Sequence, residues 1–206
     1  MHPNPAYRTT DTGNALAFAR QRGFGTLMIN GADGPLAAHV PFLLAPDGES
    51  AEVHLVRSNP IVRLLTSPSP ALLAVNGPDG YVSPDWYDLE DQVPTWNYIA
   101  VHLRGDLECL PTAGLRNHLD RLAAEFENRL LPKRPWAAGK MSADVLDRFL
   151  RMIVPCRLRI GDVQSTWKLN QNKPAAARFG AARHMASSGI GYETAALAQL
   201  MRAMQE

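Results

Sequence analysis

The spacing of apolar residues changes period along the chain, and each change predicts an element. After an extended, proline-punctuated start over residues 1–10, Asp11 or Thr12 is placed to cap a short helix running to Arg22, with Gly23 to end it. From Phe24 the period shortens to two. Phe24–Ile29, Leu36–Leu44 and Glu52–Arg57 read as strands, separated by the turn-forming stretches Gly31–Gly34 and Pro46–Glu49. Connections this short make antiparallel neighbours. Asn59-Pro60 opens a short helix with Ile61, Leu64 and Leu65 on one face. Ala71–Val75 reads as a buried strand, Gly77-Pro78-Asp79-Gly80 as a turn, and residues 84–95 as an irregular loop. Trp96–Leu110 reads as one long strand with a bulge or bend at Gly105.

Helical spacing then takes over. Leu115, Leu119, Leu122, Phe126 and Leu130 share one face of a helix that starts near Thr112, and Leu146, Phe149, Leu150 and Ile153 do the same after a Ser142 cap. Arg157–Val163 is a last strand, and Leu197, Leu200, Met201 and Met204 stripe a C-terminal helix. The small-residue stretch 175–189 is expected to be the most mobile piece. Six or so short strands with hairpin turns and flanking helices predict an α+β fold, a small antiparallel β-barrel with helices on its outside. A parallel sheet is disfavoured, because the first three strands lack crossover helices.

Composition narrows the function classes. With 206 residues the chain can bury a sizeable core without disulfides. The formal net charge of +1 provides no large positive field, which argues against a dedicated DNA-coating protein. No run of eighteen apolar residues appears, so no membrane span is expected, and the N-terminus lacks the blocks of a signal peptide. Cys109 and Cys156 are far apart in sequence and form no CxxC, which suggests neither a disulfide framework nor a zinc ribbon. A cytoplasmic protein is the expectation.

Nucleotide-loop, zinc-protease and nucleophile-elbow signatures are all missing. His39, His54 and His102 lie on three predicted strands and could ligate a metal in principle, but hydrogen bonding to neighbours explains them more simply, and no metal is expected. At His54–Pro60 a strand ends and a helix begins. Arg57 offers a fork for a phosphate, Ser58 and Asn59 offer hydrogen bonds beside it, and the helix start adds backbone N–H groups. The plainer reading is an Asn cap beside a surface arginine. Residues 81–98 concentrate five of the chain's Trp and Tyr residues, which suits a flat aromatic ligand, a subunit interface or a core cluster. Ser165–Asn172 packs one Trp, one Lys and three amides into eight residues. Those amides could read a ring edge and Lys168 could meet an anion, or the stretch could simply cap the next segment of chain.

His54–Pro60, Gly77–Tyr87, Val93–His102 and Trp167–Asn172 read HLVRSNP, GPDGYVSPDWY, VPTWNYIAVH and WKLNQN, and together they resemble ordered motifs of the PaiB family. Pro35–Pro41 is similar to the family's second strand, and the likeness runs through about residues 1–175; Asn170 stands where serine is more usual. The resemblance implies an FMN-binding split barrel, helices at about 112–153 included, over residues 1–175, followed by a helical tail at 176–206. It implies a homodimer with FMN at the subunit interface. His39, Val40 and Pro41 would run along the isoalloxazine, and His54, Arg57, Ser58 and Asn59 would hold the phosphate and ribityl chain. Trp96, Asn97, Lys168, Gln171 and Asn172 would close the site, from the same chain or the partner. The family's description implies negative regulation of transcription; DNA contact finds no support in charge or motif. The alternative is an FMN-dependent oxidoreductase of the flavin-reductase or pyridoxamine-phosphate-oxidase kind, with no catalytic residue assigned.

Overall fold

In the computed structural model, which describes residues 1–8 and 10–204, the alternating stretches form strands close to where their period places them. Among the described residues there are seven strands. β1 (Phe24–Gly31) and β2 (Gly34–Leu44) form a hairpin, and β3 (Ser50–Val56) comes next. β4 (Ser69–Val82), β5 (Thr95–Cys109) and β6 (Ile153–Lys168) are long, and β7 (Gly191–Tyr192) is a two-residue edge. The sheet order is β1-β2-β3-β6-β5-β4-β7, and β1 also pairs with β4, which closes six strands into a barrel. The antiparallel α+β barrel expected from the strand pattern is the fold observed. The chain divides into two compact units. One comprises Ala19–Ala74 and Leu103–Asp162, and the other Met1–Phe18, Val75–His102 and Val163–Glu206. Thr9, Gln205 and Glu206, at the two ends of the chain, lie outside the described residues.

The first unit holds the barrel core. Leu27, Phe42, Val53, Leu55, Leu73, Leu103, Leu107 and Leu158 are all buried in it, each on the inward parity of its strand. Gly105 is required by a close approach: a Cβ there would lie 1.6 Å from the Arg159 carbonyl oxygen on β6. Among the described residues, three α-helices belong to this unit entirely. α2 (Pro60–Leu64) is capped by Asn59, whose Oδ1 accepts from the Ile61 N–H at 2.9 Å. α3 (Leu115–Glu127) buries Leu115, His118 and Leu122, while Leu130 stands 53% exposed, off the expected stripe. α4 (Ala143–Arg151) buries no residue fully, and its Phe149 is 48% exposed. Before β1, α1 (Thr12–Arg22) starts where Asp11 accepts from the Asn14 N–H and ends at Gly23, whose φ of 59° only glycine adopts freely.

The second unit has its own core. Val82, Tyr87, Ile99 and Leu169 pack with Ala177, Ala181, Ala182 and Met185 of α5 (Ala175–Met185) and Leu197, Ala198 and Met201 of α6 (Thr194–Ala203). Two expectations are corrected. Residues 175–189 are a packed helix for the most part, because small side chains permit close approach: a Cβ on Gly180 would sit 2.7 Å from the Trp86 carbonyl oxygen. Gly77–Gly80 is not a turn but the interior of β4. Gly77 is small because Phe18 and Ile99 press on it, and Asp79 and Gly80 pair with β7. Cys109 and Cys156, distant in sequence, meet side by side on β5 and β6 as free thiols in the barrel unit, and burial pushes the Cys156 thiol up.

Candidate functional site

β2 carries an open backbone edge. It pairs with β1 from Gly34 to Pro41 but with β3 only at Phe42–Leu44. Phe42 N–H donates to Gly23 O on the β1 side and Ala45 N–H to Ser50 O on the β3 side, so direction alternates along the strand. By that alternation the peptide groups of Ala37 and His39, and the Pro41 carbonyl, point where β3 has parted from β2. On the outer face His39 is exposed, stacks on Phe24 with ring centres 6.5 Å apart, and contacts Thr26 Oγ1 at 3.1 Å. Phe24 itself is 55% exposed. Val40 is buried in the barrel core.

The end of β3 gathers a second group in the same unit. The Arg57 guanidinium donates through Nε to Arg151 O at 2.9 Å and through Nη2 to Ile153 O at 3.1 Å, which clamps the end of α4. Its Nη1 has no protein partner among the described residues. Arg57 also lines a cavity of about 300 Å³ with Thr112, Leu115, Arg116, Asp147, Leu150 and Arg151. Ser58 is exposed beside it, and Asn59 caps α2. His54, half-buried on the outer face of β3, is covered by α3. Its Nδ1 lies 3.3 Å from His118 Nε2, His118 Nδ1 lies 3.2 Å from Glu52 Oε2, and Arg121 donates to that same oxygen. Burial holds both histidines below their ordinary value, opposed at His118 by Glu52. Burial raises Glu52, but its bonds to Arg121 and His118 outweigh that and hold the carboxyl low.

The remaining candidates lie in the second unit. Lys168 donates to Thr95 Oγ1 and stands 5.9 Å over the Tyr7 ring, and burial lowers its ammonium. Gln171 accepts from the Leu169 N–H and donates to the Ala6 and Trp167 carbonyls, so its amide ties the N-terminal segment to the turn after β6. Asn172 is exposed. Trp96, 47% exposed, packs edge-on against Tyr81, which meets Trp86 in turn. Asn97 is fully buried, its Nδ2 donating to Met201 Sδ at 3.4 Å. Among the described residues no group of three or more His, Cys, Asp or Glu could hold a metal, and His39, His54 and His102 do not converge on one. The expected phosphate cluster thus contains one exposed fork already half engaged. Sequence reasoning passed over His118 and Glu52: 64 and 66 residues separate the contacts each makes, and no local motif links them.

Comparison with known proteins fits this architecture. A family model described as "Putative FMN-binding domain" matches residues 1–162. The protease synthase and sporulation protein PAI 2 of Bacillus subtilis (strain 168) is 30% identical over 169 residues, covering 81% of this chain and 80% of the relative. Among solved structures, the FAD and heme binding protein from Mycobacterium smegmatis shares the fold at TM-score 0.56 and 19% identity, over 79% of this chain and 73% of that one. The flavocytochrome Anf3 from Azotobacter vinelandii shares it at 0.55 and 17%, over 81% and 72%. With the family model and the Bacillus relative each spanning most of its length, the chain belongs to the PaiB family of FMN-binding split-barrel proteins.

Proposed function

We propose that this chain is a negative transcriptional regulator of the PaiB type, working as a homodimer with FMN at the subunit interface. The observation that carries the regulatory reading is the PAI 2 relationship, which spans four-fifths of both chains. The donor set suits the cofactor. A flavin presents a flat apolar ring with a pyrimidinedione edge that alternates donors and acceptors, and a dianionic tail. The open edge at Ala37, His39 and Pro41 beside the exposed Phe24 answers the ring. Arg57 Nη1 with the Ser58 hydroxyl answers the tail. His54 would meet the phosphate or the ribityl chain, and Lys168 with Trp96 would close the site from either chain. Bound FMN supplies redox chemistry; these residues bind and orient it.

Direct contact with DNA is not what the helices favour. On α3, Arg116 pairs with Asp120 at 2.8 Å and Arg121 with Glu52, and Arg129 just after it pairs with Glu125. Those cations are engaged within the protein instead of forming a row for phosphates. The test is transcript profiling of a strain lacking the protein. A defined set of genes should rise, and fall again on complementation with wild type but not with a variant that has lost FMN. An unchanged transcriptome, together with yellow protein bleached by NAD(P)H and reoxidised by air, would replace regulation with FMN oxidoreductase activity.

A further inference from the structure

The pairing of His54 with His118 has a defined proton count. Glu52 of β3, His118 and Arg121 of α3, and Arg157 of β6, 3.9 Å from Glu52 Oε1, are the charged and titratable groups that face His54 or its partners. A carboxylate accepts only, so His118 carries its hydrogen on Nδ1, toward Glu52. Its Nε2 is then a bare lone pair. The 3.3 Å contact is a hydrogen bond when His54 in turn carries its hydrogen on Nδ1. His54 Nε2, with no protein partner among the described residues, is left as an acceptor.

We propose that the His118–Glu52 pair is a positioning element that sets what His54 offers a ligand: an acceptor for a hydroxyl when His118 is neutral, a donor for a phosphate when His118 is charged. This rests on the reading that His54 faces the flavin. The exchange balances in protons alone. A proton added at His54 Nε2 is matched by the Nδ1 proton crossing to His118 Nε2, so His54 stays neutral with its hydrogen on the other side. The positive charge settles on His118, 3.2 Å from the Glu52 carboxylate. Outer partners that fix a histidine's tautomer in this way decide its role toward what it touches. Burial keeps the neutral arrangement as the resting one, while a phosphate dianion at His54 Nε2 would draw the proton in.

Imidazole nitrogen spectra of the isotope-labelled wild-type protein, free of flavin, test the relay itself. At about pH 8 both rings should be Nδ1–H tautomers; toward about pH 5, His118 should gain its second proton while His54 moves to the Nε2–H form. His54 already in the Nε2–H form at the alkaline end would overturn the relay. Fluorescence titration then tests the ligand. In wild type the FMN-to-riboflavin affinity ratio should rise on acidification about tenfold more than in His118→Phe, the size of one charge-assisted hydrogen bond. The FMN phosphate titrates in both proteins, so the difference between them is the readout. Identical profiles would overturn the specificity role. Failure of wild type to bind FMN at all would instead overturn the proposed function, with the relay still decided by the spectra. The wild-type spectra need no variant to fold.

Discussion

Arg57 has two claims on its guanidinium. Nε and Nη2 hold the carbonyls at the end of α4, and Nη1 remains for a ligand. Arg57→Ala should therefore do two separable things. Losing two exposed charge-assisted bonds should lower stability by about 1 kcal/mol after solvent screening, read by chemical denaturation. Losing the phosphate fork should weaken FMN about ten- to a hundred-fold and barely touch riboflavin. Equal losses for both flavins would reduce Arg57 to a clamp on α4. Arg57→Lys should recover only part of each, because an ammonium cannot reproduce the fork. At Gly105 the constraint is steric. The nearest atom to an added Cβ is backbone, not a flexible side-chain end, so Gly105→Ala should cost more than about 3 kcal/mol or prevent folding. A thermal transition within a few degrees of wild type would refute that. The Asn59 cap and the Gly23 helix end were legible because each acts through the backbone within three residues. His118, Glu52 and the Cys109–Cys156 neighbours were not, since those contacts exist only once distant strands and α3 are assembled.

Between elements, α3 docks on β3 through a polar seam, not through leucines alone. Both histidines of that seam are held below the ordinary 6.5. The unfolded chain takes up their protons near that value while the folded protein refuses them. Their contribution is thus fully present above about 6.5 and is lost as pH falls through the lower, folded values. Glu52 is held below its ordinary 4.5, so its contribution persists above that and is lost at still lower pH. Denaturation midpoints should show two successive acid losses, the upper one smaller in His118→Phe, where only buried His54 remains to supply it. A midpoint flat from neutral pH down to the carboxylate range would show that the seam carries no such linkage. Strand and helix periodicity located β3 and α3 without pairing their polar residues. Elsewhere, local turn chemistry misled at Gly77–Gly80, where pairing with β7 and pressure from Phe18 keep a glycine- and proline-containing stretch extended. The alanines of α5 misled in the other direction. Small residues read as mobile in isolation, yet they are what lets a helix lie close against neighbouring backbone.

At the scale of the whole molecule, the barrel unit leaves apolar surface uncovered. Phe24, Val56, Phe149 and Met152 are 55%, 52%, 48% and 51% exposed. Val56 pairs with Ile153, whose predecessor Met152 accepts from the Arg57 N–H, so strand end and helix end form one neighbourhood. α4 adds to it with Leu146, Phe149 and Leu150 on a single face, none of them fully buried. An amphipathic helix whose apolar face is left partly exposed, with Phe149 at 48%, calls for a partner. A second copy related by a two-fold axis covers such a patch with itself, so each exposed side chain is buried twice. Sedimentation of the wild-type protein at micromolar concentration with FMN should therefore give twice the 22.6 kDa chain mass. Phe149→Asp, which sets a charge in the patch without disturbing the barrel core, should shift the protein toward monomer. FMN affinity should fall with it, because a cofactor held between subunits loses one wall of its site. A wild-type monomer under these conditions would refute the dimer. A Phe149→Asp monomer that binds FMN as tightly as wild type would place the whole flavin site within one chain.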